Sequence, residues 1–229
     1  MRLLLTVSDV TEARRSAALM DDMLREKAVL MQEIQHRVAN SLQIIASLLM
    51  LNARRVQSDE TRDYLYDAHN RVMSVATVQQ LLATSALGDV ALRPYLTKLA
   101  EGLAASMIPD REHLSLKVTS DDSVASADIS MSMGLIVTEL VINALKHAFP
   151  DRRDGRISVD YHAAGPDWTL SVSDDGVGIS DPAIAKPGLG TSIVEALSRH
   201  LHAKVHIADA HPGAAVTISH VAATERLAV

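Results

Sequence analysis

Glu139, Asn143 and Lys146 follow one another at steps of four and three along an unbroken run, residues 134–150, that contains no helix breaker between its first Gly and its last Pro. At about 100° per residue the three fall within about 60° of each other on a helix. Val137, Val141, Ala144, Leu145 and Ala148 gather on the opposite side. A carboxylate and an amide one turn apart are hard oxygen donors of the kind Mg²⁺ takes when it also holds phosphates, and a lysine one turn further suits a phosphate oxygen. An ordinary amphipathic helix with solvated polar groups would show the same spacing. The pattern gains meaning from two stretches downstream. Asp174-Asp175-Gly176-Val177-Gly178 ends an alternating run; its paired glycines permit close backbone approach, although Asp-Gly is also a common hairpin turn. Gly188-Leu189-Gly190 stands directly before a helical pattern, where unpaired backbone N–H groups form a ready anion site. The residues between the two glycine pairs, with two prolines and two alanines, are expected to form a lid.

A further reactive group stands far upstream, in Glu33-Ile34-Gln35-His36-Arg37-Val38-Ala39-Asn40-Ser41-Leu42-Gln43. With an apolar seam centred on Val38, residues Met31, Ile34, Leu42 and Ile45 fall within about 40° of it, and His36 lies about 160° away, beside Glu33 and Asn40. The imidazole is therefore expected to face solvent, where a neutral ring is a nucleophile with a pKa near the working pH. The chain has ten histidines, most of which need be no more than solvated surface residues.

The elements that must position these groups fall into two textures. Residues 1–10 read as a short strand, with Thr11 a candidate N-cap. Apolar residues then recur at spacings of three, four and seven from Met20 to Leu51, predicting a long amphipathic helix that ends near Val56. A second helix is predicted from about Glu60 to Ala86, with Leu65, Ala68, Val72, Val75, Ala76 and Leu82 as its seam. Two long helices joined by a short loop make an antiparallel hairpin. Such a pair buries little alone and is expected to dimerise into a four-helix bundle. Gly88-Asp89 breaks the pattern. Beyond it a short strand at Val90 precedes a helix with Pro94 in its first turn, a strand from about His113, and a helix capped by Asp128. A strand pair follows around Gly165-Pro166, then a helix from about Gly190 to Leu201, and two last strands around His211-Pro212-Gly213. The expected fold class is α+β: a helical hairpin followed by an α/β sandwich with one sheet. The expected divisions are 1–19, 20–88, 89–222 and a tail, 223–229.

Composition narrows the function. The 229 residues are 48% hydrophobic, 22% charged and 3% aromatic, with a net charge of −6 and no cysteine. Nothing in that balance suggests sequence-independent nucleic-acid binding, a disulfide framework or a thiolate metal site. The longest apolar run, residues 42–51, is too short to span a bilayer, and no signal-peptide pattern follows the first residues. A cytoplasmic protein is expected.

Glu139-x-x-x-Asn143 on a helix, Asp174-x-Gly176-x-Gly178 after a strand, and Gly188-x-Gly190 opening a helix occur in the order found in the Bergerat-type ATP-binding fold, which histidine kinases share with gyrase-type and mismatch-repair ATPases. The resemblance implies ATP and Mg²⁺ as cofactors. Asn143 would hold Mg²⁺, and Lys146 and His147 would lie near the phosphates. Asp174 would accept the adenine amino group, Gly176 and Gly178 would make room for the nucleotide, and Gly188 and Gly190 would hinge the lid. One departure stands out: where such proteins commonly carry Gly-Thr at the start of the last strand, Gly213 is followed by Ala214, and Thr217 would point to the other face. The stretch around His36 resembles the phosphoacceptor box of the HisKA_2, or His-Arg, class of bacterial sensor kinases, matched at Glu33, His36, Arg37, Val38, Asn40, Leu42 and Gln43. It fits the HWE class poorly, because Thr138 precedes Glu139 and Trp168 is followed by Thr169 and Leu170.

The resemblance implies ATP-dependent autophosphorylation of His36 and transfer to an Asp on the receiver domain of a response regulator. Glu139, and after it Glu33, are the candidate bases. Residues 5–15 resemble the tail of a PAS-type sensor domain running into a signalling helix. The alternatives are a degenerate phosphotransferase or response-regulator phosphatase that does not use ATP, a serine kinase of the anti-sigma type, and a gyrase- or chaperone-like ATPase.

Overall fold

The computed structural model describes residues 11–83, 89–108, 113–150, 154–178 and 189–222. The strand expected at residues 1–10, and the end of the second helix beyond Ala83, lie outside them. Two helices, α1 (Thr11–Ala53) and α2 (Asp59–Ala83), form the hairpin. Ser58 opens α2, its Oγ accepting from the Thr61 N–H at 3.3 Å, a usual N-cap arrangement. Arg62 ties the connecting loop down by donating to the Val56 carbonyl at 3.0 Å.

The seam of the hairpin is not the one that periodicity picks out. Ala39, Ala46 and Ala53, seven residues apart, are completely buried, and His69 on α2 comes within 2.9 Å of the Ala46 carbonyl through Nδ1. Met31, Ile34 and Val38 stay 53%, 55% and 41% exposed, and Ile45 is exposed with them. Helical periodicity weights side chains by hydrophobicity, whereas close approach of two backbones selects small ones. Ala39 sits about 100° around the helix from Val38, so the large stripe lies beside the contact with α2 instead of in it. His36 is exposed, as expected, although Val38, from which that expectation measures its angle, is itself exposed and the buried seam runs through Ala39 instead.

The second part follows in chain order as β1 (Val90–Ala91), α3 (Leu92–Met107), β2 (Leu114–Ser120), β3 (Val124–Ala125), α4 (Ala127–His147), β4 (Gly155–Ala164), β5 (Asp167–Asp174), α5 (Leu189–His200), β6 (Lys204–Asp209) and β7 (Ala214–His220). The main sheet has the order β2-β4-β5-β7-β6. Strands β2 and β4 are parallel, as a crossover through α4 requires, and the remaining neighbours are antiparallel. A second, two-stranded sheet pairs β1 with β3, where one sheet was expected: the loop before α4 folds back to pair Val124 with Ala91. Helix α4 is capped by Ser126, whose Oγ accepts from the Ile129 N–H at 3.4 Å, not by Asp128. The latter sits in the first turn, where its charge suits the helix dipole.

The core lies between the helices and one face of the sheet. Leu96 and Leu99 of α3, Met133, Ile136 and Val137 of α4, Ile157 of β4, Leu170 of β5 and Ile218 of β7 are among its fully buried members, and Val78 of α2 joins them. Helix α4 runs through the middle. It is buried nearly all round, including Thr138 and Ile142, because α2 covers the side that the sheet does not. It is also the one helix, among the described residues, long and apolar enough to cross a membrane by length and composition, and 67% of that window is buried inside the fold.

Candidate functional site

A cavity of about 770 Å³ opens where α4, β5, β7 and the start of α5 meet. Asn143, Lys146 and His147 enter it from the last turns of α4, Asp174 from the end of β5 and Gly178 from the loop after it, Gly190 and Thr191 from the first turn of α5, and Ala214 and Val216 from β7. Residues separated by some 70 positions in the chain thus line one space, as the motif order predicted. Gly188 lies outside the described residues.

Asp174 organises the far wall. Its Oδ1 accepts from the Gly176 N–H at 3.0 Å and from the Ala214 N–H at 3.2 Å, so one carboxylate oxygen ties the glycine loop to β7. Among the described residues, no hydrogen bond engages its second oxygen. Gly176 packs directly on α4: the next N–H, of Val177, donates to the Ala148 carbonyl at 2.9 Å, and a Cβ on Gly176 would overlap that same carbonyl. Gly213 has φ +94°, and a Cβ there would run into the carbonyl of Asp174. No L side chain fits either place without moving backbone. Alternation along β7 points Ala214 and Val216 into the cavity and leaves Thr217 out of it. The hydroxyl missing at position 214 is therefore not supplied from 217.

Glu139 sits at the edge of this space, 5% exposed. Its Oε2 lies 3.2 Å from Nε of Arg71 on α2. Burial pushes its carboxyl pKa up, against the opposing pull of Arg71 and Lys146, and Asp67 adds to the upward push. Lys146 itself is ion-paired with Asp67. Tyr64, Asp67, Ala68 and Arg71 of α2 line the same cavity. Sequence reasoning assigned Ala68 to the hairpin seam and gave the other three no role at the site. The only available signal was a basic and an acidic residue one turn apart, which is common on solvated helices.

His36 and Glu33 are not among the residues lining the cavity. Glu33 is one turn before His36 and is held by Arg37, whose Nη2 and Nε lie 2.6 and 3.0 Å from Glu33 Oε1. The structure brings Asn143, Lys146, His147, Asp174, Gly178 and Gly190 to one cavity, sets Glu139 behind Gly190 and Gly176 against Ala148 without either lining it, and leaves His36 with Glu33 exposed on α1.

Residues 33–107 match the HisKA_2 family, described as histidine kinase, and residues 129–224 match the HATPase_c family, described as histidine kinase-, DNA gyrase B-, and HSP90-like ATPase. The sensor histidine kinase PdtaS of Mycobacterium tuberculosis is 32% identical over 174 residues, which cover 76% of this chain and 34% of that protein. Blue-light-activated histidine kinase 2 of Erythrobacter litoralis is 28% identical over 197 residues, 81% of this chain and 55% of that protein. The solved structure of an Erythrobacter litoralis blue-light activated histidine kinase superposes with a TM-score of 0.61 at 27% identity, covering 83% of this chain and 58% of that one. This chain therefore spans a third to somewhat over half of the length of these relatives. With a phosphoacceptor-type hairpin and a Bergerat-type sandwich matched in the same order as its motifs, the chain belongs to the histidine kinase family.

Proposed function

We propose that this chain is the kinase core of a two-component sensor, which transfers the γ-phosphoryl group of ATP to His36 and then to an aspartate on the receiver domain of a response regulator. The observation that carries this reading is the convergence of Asn143, Lys146, Asp174 and Gly190 on one cavity, in a chain that also presents an exposed histidine within a phosphoacceptor-type box.

In this reading Asp174 accepts the adenine amino group through the carboxylate oxygen that no described hydrogen bond engages, and Ala214 and Val216 lie along the base. Among the described residues, no cluster of three or more His, Cys, Asp or Glu could cage a metal ion. The donor set, an amide at Asn143 beside a lysine, fits a Mg²⁺ that arrives with the nucleotide and takes most of its ligands from phosphate and water. Bound there, the metal would neutralise charge on the transferring phosphoryl group. A ring nitrogen of His36 attacks the γ-phosphorus in line, the bond to the ADP oxygen breaks, and the proton on the other ring nitrogen is lost. Glu139 is the favoured base for that proton. Burial makes its carboxylate a better acceptor near neutral pH than an exposed one. Glu33 is the second candidate, engaged by Arg37 in this state.

Because His36 does not line the cavity, the nucleophile reaches it by re-docking of its own hairpin or from the hairpin of a second copy. The exposed stripe of Met31, Ile34, Val38 and Ile45 is the surface through which we expect two hairpins to associate. We place the reaction in the cytoplasm, where ATP and receiver domains are available.

The test is incubation with γ-³²P-ATP and Mg²⁺ beside a His36→Ala control. Acid-labile, alkali-stable label that vanishes in the variant is expected. Label that survives in His36→Ala, or alkali-labile phosphoserine, would overturn the assignment. Nucleotide binding without label would favour a phosphatase or relay.

A further inference from the structure

The sandwich does not build the mouth of the nucleotide cavity alone. Two ion pairs hold α2 across it, Arg71 to Glu139 at 3.2 Å and Asp67 to Lys146. Asp67 and Arg71 stand one turn apart on α2, and their partners stand two turns apart on α4. The Arg71 side chain is only 19% exposed. Its guanidinium reaches the start of α5: a Cβ built on Gly190 would lie 2.7 Å from Glu139 Oε2, 3.1 Å from Arg71 Nη2 and 3.4 Å from Asn143 Oδ1. A cation, a carboxylate and the candidate metal-binding amide therefore converge on one point in the first turn of a helix. The fit between cation and carboxylate is incomplete. Arg71 Nε and Glu139 Oε2 are both buried, and although Arg71 holds the carboxylate by charge and contact, these two atoms do not reach full hydrogen-bond geometry with any partner among the described residues. The desolvation cost of such a pair can exceed its Coulombic gain, and a guanidinium is well shaped to exchange a carboxylate for a phosphate.

We propose that Arg71 is a nucleotide-sensing residue supplied by the hairpin: it leaves Glu139 to contact the terminal phosphate of bound ATP, and so sets a preference for ATP over ADP. This rests on the cavity being an ATP site. The exchange has two consequences. Glu139 loses its cation only when a triphosphate is present, so the candidate base is freed together with the arrival of the phosphoryl group. Helix α2 is latched by a protein carboxylate in the empty state and by the nucleotide in the loaded one. With ADP, Arg71 stays on Glu139.

Titration calorimetry of Mg-ATP and Mg-ADP into the full chain tests this. Arg71→Ala is expected to weaken ATP binding about tenfold or more, the scale of one charge-assisted contact, while ADP affinity stays within about twofold. Arg71→Lys, which keeps the charge but not the fork, should fall between for ATP. The double variant Arg71→Ala with Glu139→Gln leaves no buried charge unpaired and should show the same ATP-selective loss, separating it from misfolding. Equal weakening of both nucleotides, or no change in either, would overturn the role of Arg71 and leave the ATP reading standing. A wild-type chain that binds neither nucleotide would remove the ATP reading itself.

Discussion

The hairpin and the sandwich bury their chains in opposite ways. Helix α4 has residues on every side under cover, with the sheet on one flank and α2 on the other. Helix α1 meets α2 through alanines and leaves Met31, Ile34, Val38 and Ile45 in solvent. The sandwich core is closed with the help of α2, whose Val78 and Leu82 join it, while α1 leaves its largest apolar side chains on a surface that this chain alone does not cover. Stability should reside in the sandwich, and association in the hairpin.

The largest break in that contrast is expected in the sandwich core. Leu170→Ala removes a fully buried side chain of the sheet and should cost about 2–5 kcal/mol, read by denaturant unfolding. Gly176→Ala would drive a methyl into the Ala148 carbonyl. We expect a loss of about 1–3 kcal/mol from the forced backbone shift, together with loss of nucleotide binding, checked by unfolding and calorimetry in parallel. On the hairpin, Ala46→Leu places a large side chain at a completely buried position; it should cost about 1–3 kcal/mol and separate α1 from α2, seen as faster amide exchange in both helices. Restoring a hydroxyl to the adenine wall with Ala214→Thr should tighten ATP binding by about 1 kcal/mol, measured by the same titration. Ile34→Ser should change the stability of the dilute chain by less than about 0.5 kcal/mol while lowering self-association in sedimentation velocity. A large stability loss from Ile34→Ser would mean that the stripe is core in the monomer, and the contrast between the two regions would fail.

Much of the candidate site was legible because its chemistry is local. Glu139, Asn143 and Lys146 share a helix face by spacing alone, and Asp174 and the glycines stand at a strand end and a helix start that alternation and periodicity mark out. The structure gathers Asn143, Lys146, Asp174, Gly178 and Gly190 on one cavity. Arg71 was not legible, because an isolated arginine on a polar helix face has no local signature. Its role depends on where α2 lies against α4. The same holds for the hairpin seam: periodicity found an apolar stripe, but whether α2 packs on the stripe or on the alanines beside it depends on how closely two backbones approach.

The amino-acid sequence by itself determined the order of the helices and of the longer strands, the exposure of His36 and the placing of Asn143, Lys146, Asp174 and Gly190 at a helix face, a strand end and a helix start, since each follows from backbone geometry over a few turns or one strand. Tertiary structure alone decided that α2 lies across the cavity, pairing Arg71 with Glu139 and Asp67 with Lys146. Those pairings join residues about 70 to 80 positions apart, and only the packing of two separately folded surfaces brings such charges within range of each other.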